Sequence, residues 1–175
     1  MSSAAISMLA DVVRLTLFPA LMAFAASADL FTMTISNVIP LILGGGFFAL
    51  AALDGLPVAE IGNHLAAGLL VLAVCFAFFA RGWIGGGDAK LASATALWFG
   101  WTDLYGYLLY ASLFGGALTL LLLEFRRRTL PPVLAGRDWV TRLHQPNGGV
   151  PYGIALAAAA LITYPSSPWM RAVAM

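Results

Sequence analysis

Gly85-Gly86-Gly87-Asp88-Ala89-Lys90 interrupts two apolar runs, Leu65–Ala80 (LAAGLLVLAVCFAFFA) before it and Leu91–Trp101 after it. The first run is long enough to cross most of a bilayer, which needs about 20 apolar residues in a helix. A carboxylate at the lip of the hydrocarbon is costly and marks a functional position by default. Three glycines without Cβ atoms allow close backbone approach. Irregular backbone at this depth survives only when it is buried in protein or lines a wet cavity. The hexapeptide therefore reads as a glycine-rich entry to a cavity with an acid at its end. The competing reading is a tight turn in which Asp88 caps the next helix.

The composition extends this reading to the whole chain. Of 175 residues, 61% are hydrophobic and only 10% are charged, with a mean hydropathy of +0.90. These values predict an all-α integral membrane protein. A net charge of +1 with few, loop-borne basic residues gives no footprint for nucleic acid. The single cysteine, Cys75, excludes an internal disulfide and a cysteine-rich zinc site. It falls in an apolar run and reads as packing.

Six spans are expected, forming a polytopic bundle. Span one runs from about Val12 or Leu15 to Ala28. Its Leu15–Ala25 core and Ala26-Ser27-Ala28 also resemble a signal peptide and its cleavage site, but the preceding segment lacks the usual positive charge, so retention is expected. Asp29 follows. Ser36 or Asn37 is expected to cap span two (Val38–Leu53), with Pro40 in its first turn and Gly44-Gly45-Gly46 giving close packing or a bend. Asp54–His64 reads as a loop, Leu65–Ala80 as span three and Asp88–Trp101 as a short span four. Asp103 and Gly106 mark the turn into span five (Leu104–Leu123), where Gly115-Gly116 suggests a tight helix contact. In the basic loop after it, Trp139, Val140 and Leu143 have the spacing of a short amphipathic helix on the membrane surface. Asn147-Gly148-Gly149-Val150-Pro151-Tyr152-Gly153 opens span six, which ends near Tyr164.

Orientation follows from the basic residues. Glu124–Gly149 carries five arginines, Arg81 and Lys90 flank the glycine turn, and Asp54–His64 has no Lys or Arg. With the arginines in the cytoplasm, Asp29 and Asp88 fall on the same, cytoplasmic, face. Helix starts at Ser36–Pro40, Asp88–Lys90 and Asn147–Pro151 bring positive dipole ends there.

Two aspartates on one face, the second within Gly-x-Gly-Asp, resemble the type IV prepilin peptidases of the GxGD aspartyl class. The likeness covers nearly the whole chain. Asp29 with Ile35-Ser36-Asn37-Val38-Ile39-Pro40 is similar to the family's first aspartate and its Asn/Pro tail. Gly85–Lys90 is similar to its Gly-x-Gly-Asp-x-Lys signature, and Val150-Pro151-Tyr152-Gly153 to the Pro-aromatic-Gly that opens the last helix. The resemblance implies one membrane peptidase domain over residues 1–175, in the bacterial inner membrane, multi-pass, with its site on the cytoplasmic side. It implies Asp29 and Asp88 as the catalytic pair, without metal or cofactor. Gly85, Gly86, Gly87, Lys90, Asn37, Pro40, Pro151, Tyr152 and Gly153 are implied as substrate-binding or loop residues. The partners implied are a prepilin, as leader plus hydrophobic helix, and membrane lipids; the oligomeric state stays open. Larger relatives carry a cytoplasmic insert with paired Cys-x-x-Cys motifs and also N-methylate the product. One cysteine and no room for the insert place this chain with the small branch serving tight-adherence (Flp-type) pili, without the methyltransferase.

The carboxylate pair fits that chemistry, because one can act as base on a water while the other acts as acid on the scissile carbonyl. The glycines would let an extended substrate backbone lie against the site. Lys90 reads as snorkelling to the interface. Asp11, Asp54, Glu60 and Asp103 read as solvated, and His64 as isolated in a loop. His144 has no Cys or carboxylate at metal spacing. The arginine run reads as a topology determinant and anionic-lipid contact. The alternative function is a small transporter or channel passing protons or cations, but such sites lie at mid-membrane on a repeat interface. A non-enzymatic scaffold would show no cleavage of a pilin precursor in membranes. The topology is checked with Val58→Cys and Arg137→Cys in a Cys75→Ala background. Intact cells treated with an impermeant thiol reagent are expected to label position 58 and spare 137; the reverse pattern would invert the orientation.

Overall fold

The computed structural model describes residues 3–146 and 148–173. Asn147, expected at the start of span six, lies outside the described residues. The elements in order are α1 (Ser3–Thr32), α2 (Val38–Leu53), α3 (Val58–Ala80), α4 (Gly86–Arg127), α5 (Pro132–Ala135), α6 (Asp138–His144), α7 (Tyr152–Thr163), a 3₁₀ turn (Tyr164–Ser166) and α8 (Pro168–Val173). No strand occurs among the described residues. Stretches Ser7–Thr32, Val58–Ala80 and Gly86–Arg127 are long and apolar enough to cross a membrane, and Val38–Leu53 and Tyr152–Ser166 are shorter apolar helices. The protein is a helical membrane protein. Its surface agrees, with Leu41, Phe76 and Leu120 all more than 60% exposed, an apolar exterior that suits lipid rather than water.

A straight helix as long as α4 would measure about 63 Å, roughly twice the hydrocarbon thickness. The chain breaks it at Gly100, with φ 56° and ψ −163°. Beyond the break it doubles back. Phe99 and Tyr107 have ring centroids 5.3 Å apart, and Gly115 returns to pack on Tyr152. The first arm (86–99) and second arm (101–127) therefore count as two spans, and with α1, α2, α3 and α7 they make six apolar helical segments.

The turn lies at Gly100, not at Asp103 and Gly106, because only glycine takes that backbone conformation without strain. Both expected turn residues lie within the second arm, where Asp103 is half-buried rather than solvated. The loop expected over 54–64 shrinks to 54–57. The polar residues 58–64 are the first turns of α3, where Glu60 favours the positive helix end. His64 is consequently helical and engaged. Its Nδ1 lies 2.8 Å from the Leu97 carbonyl oxygen, and its ring packs against Phe47 and Trp169.

The core is aromatic at the end away from the glycine turn. Phe18 stacks on Tyr164 at 4.3 Å and tilts against Trp98 at 5.1 Å. A buried indole N–H needs an acceptor, and Trp98 donates to the Leu43 carbonyl while Trp169 donates to that of Trp98. Arg14 is buried beside this core, 6% exposed. It donates to Asp11 and Asp54, so these acids are tied to a guanidinium rather than solvated. The pairing has a clear cause, since a buried cation needs carboxylates around it. Of the paired glycines, Gly46 faces Leu17 and Gly115 faces Tyr152 closely, while Gly44, Gly45 and Gly116 face open space. The expected amphipathic helix forms as α6. Its Val140 and Leu143 are buried and Trp139 packs edge-on to Phe31, so its apolar side packs on the protein rather than lying free on the membrane.

Gly100→Ala tests the hairpin. Its Cβ would fall 2.9 Å from His64 Cε1, and the backbone conformation alone costs a non-glycine about 1–3 kcal/mol. The variant is expected to unfold several degrees lower in detergent. Adding His64→Ala should relieve the steric share and leave the backbone share; an unchanged melting temperature in Gly100→Ala would contradict the hairpin geometry.

Candidate active site

Asp29 lies in the last turn of α1, inside the helix rather than after it, and is 5% exposed. The helix ends at Met33, whose φ of 55° is left-handed and whose N–H bonds the Asp29 carbonyl at 2.9 Å. Such a conformation is strained for a residue with a Cβ. It turns the chain so that Ile35 lies across Gly87 and Gly153. A Cβ on Gly87 would come within 3.0 Å of Ile35 Cβ, and one on Gly153 within 2.8 Å of Ile35 Cδ1.

Gly153 is the second residue of α7, following the buried Pro151. Its N–H is one of the donors a helix start leaves without an intrahelical acceptor, and it donates to Asp29 Oδ2 at 2.7 Å. A carboxylate placed there also meets the positive end of the helix dipole. Tyr152 fixes the position of this start, its ring against Gly115 and its hydroxyl 3.2 Å from Thr119 Oγ1.

Asp88 is the third residue of α4, and its Oδ2 accepts the Gly85 N–H at 3.2 Å, the carboxylate half of a capping box. The capping and cavity readings of the hexapeptide both hold. The same carboxylate lines a cavity of about 210 Å³ with Asp29, Met33, Thr34, Ile35 and the three glycines. Two acids far apart in sequence thus share one small cavity, each accepting a backbone N–H at the start of a helix, α7 for Asp29 and α4 for Asp88.

The remaining predicted residues divide. Space beside the three glycines is occupied by the chain itself: the Asp88 carboxylate next to Gly85, the Phe79 ring next to Gly86 and Ile35 next to Gly87. Their closeness serves internal packing. Asn37 does not cap α2 with its side chain; Ser36 Oγ accepts the Val38 N–H instead. The Asn37 amide oxygen accepts from Lys90 Nζ at 2.8 Å. Lys90, Asn37 and Pro40 line a neighbouring groove, not the aspartate cavity. From the basic loop, Arg142 donates to the Phe31 carbonyl, and Arg126 to those of Leu143 and Gly149. These bonds hold α6 and the approach to α7 against the end of α1. His144 Nε2 meets the Arg128 carbonyl, and no three metal-binding side chains gather among the described residues. Met33 and Ile35 shape the cavity without a signal in the sequence, since an apolar residue in a short link carries none.

A polytopic helical membrane protein with two carboxylates from separate helices in one cavity is the class that fold and site define. The chain belongs to the type IV leader peptidase family, whose family model matches residues 16–120, more than half of its length. The match includes both aspartates and Lys90, and membership makes the protein a leader-peptidase-like protease. Searches of curated proteins and of solved structures found no match.

Gly153→Ala tests the coupling of α7 to the site. Its Cβ would lie 2.8 Å from Asp29 Oδ2 and 3.0 Å from Asp29 Cβ, so the carboxylate must move. The variant is expected to insert at normal abundance and lose at least tenfold in proteolytic turnover. Normal turnover would show that the Asp29–Gly153 bond does not matter.

Proposed function

We propose that the protein is an aspartyl endopeptidase that removes the leader from Flp-type prepilins at the cytoplasmic face of the bacterial inner membrane. The observation that carries this reading is the shared cavity of Asp29 and Asp88 in a chain of the leader peptidase family. One carboxylate takes a proton from water as the water oxygen adds to the scissile carbonyl carbon. The other, protonated, donates to the carbonyl oxygen. Collapse of the tetrahedral intermediate breaks the C–N bond, leaving a carboxyl on the leader and, after proton transfer, an amine on the mature chain. The Gly153 and Gly85 N–H groups hold the carboxylates in place.

The finer parts have separate support. The arginine-rich loop favours the cytoplasm for this end of the bundle. A single cysteine leaves no paired Cys-x-x-Cys insert, which supports the Flp branch and argues against a methyltransferase. The exposed apolar surface supports lipid contact. The transporter reading is disfavoured because both acids lie at helix ends on one side of the bundle rather than at mid-membrane.

Asp29→Asn and Asp88→Asn are each expected to remove nearly all cleavage of an Flp-type precursor in membranes at matched expression. The double variant should be little worse than either, since residues acting as a unit are non-additive. Substantial cleavage by either single variant would remove that residue from the mechanism.

A further inference from the structure

A second cavity shares its walls with the aspartate site. Although α2 and α3 are joined by the short 54–57 link, they make almost no direct contact; each packs on α4 instead. They leave a groove of about 480 Å³ with the first arm of α4 as its floor. Leu41 and Gly44 line one wall and Leu69 and Leu72 the other, with Ala94 and Leu97 below. Lys90 to Leu97 spans about 10 Å, two helical turns. The groove opens to the lipid side, where Leu41 is 72% and Leu69 55% exposed. Gly44 has open space where its Cβ would be, as a wall meant to admit another helix would have.

One end of this apolar groove is polar and charged. Lys90 and Asn37 close it. The ammonium meets an amide oxygen, and no carboxylate among the described residues forms an ion pair with it. That end adjoins the aspartate cavity, because segments 33–37 and 85–90 supply both: Ile35, Gly87 and Asp88 face the cavity, and Asn37 and Lys90 face the groove.

We propose that this groove holds the apolar membrane helix of the peptide being cut, with a carboxylate in that helix's first turn meeting Lys90. The proposal rests on the peptidase reading, and it identifies how the substrate is aligned. A helix seated along α4 leaves the groove at Lys90, so the residues preceding it enter the cavity of Asp29 and Asp88. Its N-terminus then lies beside an ammonium, and the two positive ends repel unless the first turn carries an acid. The charge therefore specifies the chemistry of the partner. A phospholipid would satisfy the apolar walls and the ammonium, but it makes no use of the junction between groove and cavity.

The full chain in membrane vesicles, with an Flp-type precursor bearing a glutamate in the first turn of its helix, provides the test. Gly44→Leu, which fills open space, is expected to raise KM at least tenfold with kcat little changed. Lys90→Glu should raise KM likewise, and changing the precursor's glutamate to lysine should restore it. In an Asp88→Asn background, p-benzoylphenylalanine in place of Leu69 should crosslink to the precursor, whereas the same probe in place of Leu120 should not. Adducts to lipid alone, with KM unchanged in Gly44→Leu, would overturn the proposal and assign the groove to lipid, while wild-type cleavage left the peptidase reading standing. If the wild type cleaved nothing, the peptidase reading would fall, and absence of the Leu69 adduct would overturn the groove separately.

Discussion

A carboxylate beside hydrocarbon costs several kcal/mol unless hydrogen-bond donors and partial positive charge surround it. Asp29 and Asp88 meet that requirement in the same way, through a backbone N–H at a helix start: Gly153 at α7 for one, Gly85 at α4 for the other. Much of the architecture at this end follows. Helix α7 must begin beside the end of α1, which the buried Pro151 and the Tyr152–Gly115 contact secure. Met33 must turn the chain sharply so that Ile35 closes the cavity over both glycines. Guanidinium bonds from Arg126 and Arg142 hold the connecting loop in register.

The opposite end solves a similar problem with the charges reversed. There the buried cation is Arg14, and Asp11 and Asp54 supply the counter-charges. Because Asp54 directly follows α2 while Arg14 belongs to α1, the Arg14–Asp54 pair joins the two helices, and Asp11 supports the guanidinium from within α1. An indole chain from Trp169 through Trp98 to Leu43 joins α8, the first arm of α4 and α2. The Gly100 hairpin links this end to the other, since it returns the second arm to Tyr152 and thus to the start of α7.

Much of this was legible in the sequence, and what was not has a common cause. Apolar run lengths gave the helical membrane class, and the apolar helical segments among the described residues, with α4 counted as two arms, agree with six. Boundaries failed where polar residues continue a helix: residues 58–64 read as loop because hydropathy alone marked the span, yet Glu60 and His64 lie in the first turns of α3. Asp29 likewise read as following its helix. Gly100 was overlooked in favour of Asp103 and Gly106 because a left-handed glycine between two apolar arms looks like any other glycine. Within the site, charge and glycine made Asp29, Asp88 and the hexapeptide visible. The bond from Gly153 and the closure by Ile35 were not, because they join residues far apart in sequence. Of the two residues expected to cap α2, Ser36 supplies the side-chain acceptor, and Asn37 does not because a distant lysine takes its side chain.

The central claim is that Asp29 and Asp88 act as one pair sharing a single proton across their cavity. A precursor-cleavage rate measured against pH in vesicles, with the bundle shown intact throughout, tests it most directly. The account predicts a bell: activity falls in acid as the water-activating base is protonated and in alkali as the carbonyl-polarising acid loses its proton. A rate that rose with pH to a plateau, needing one deprotonated group only, would contradict it.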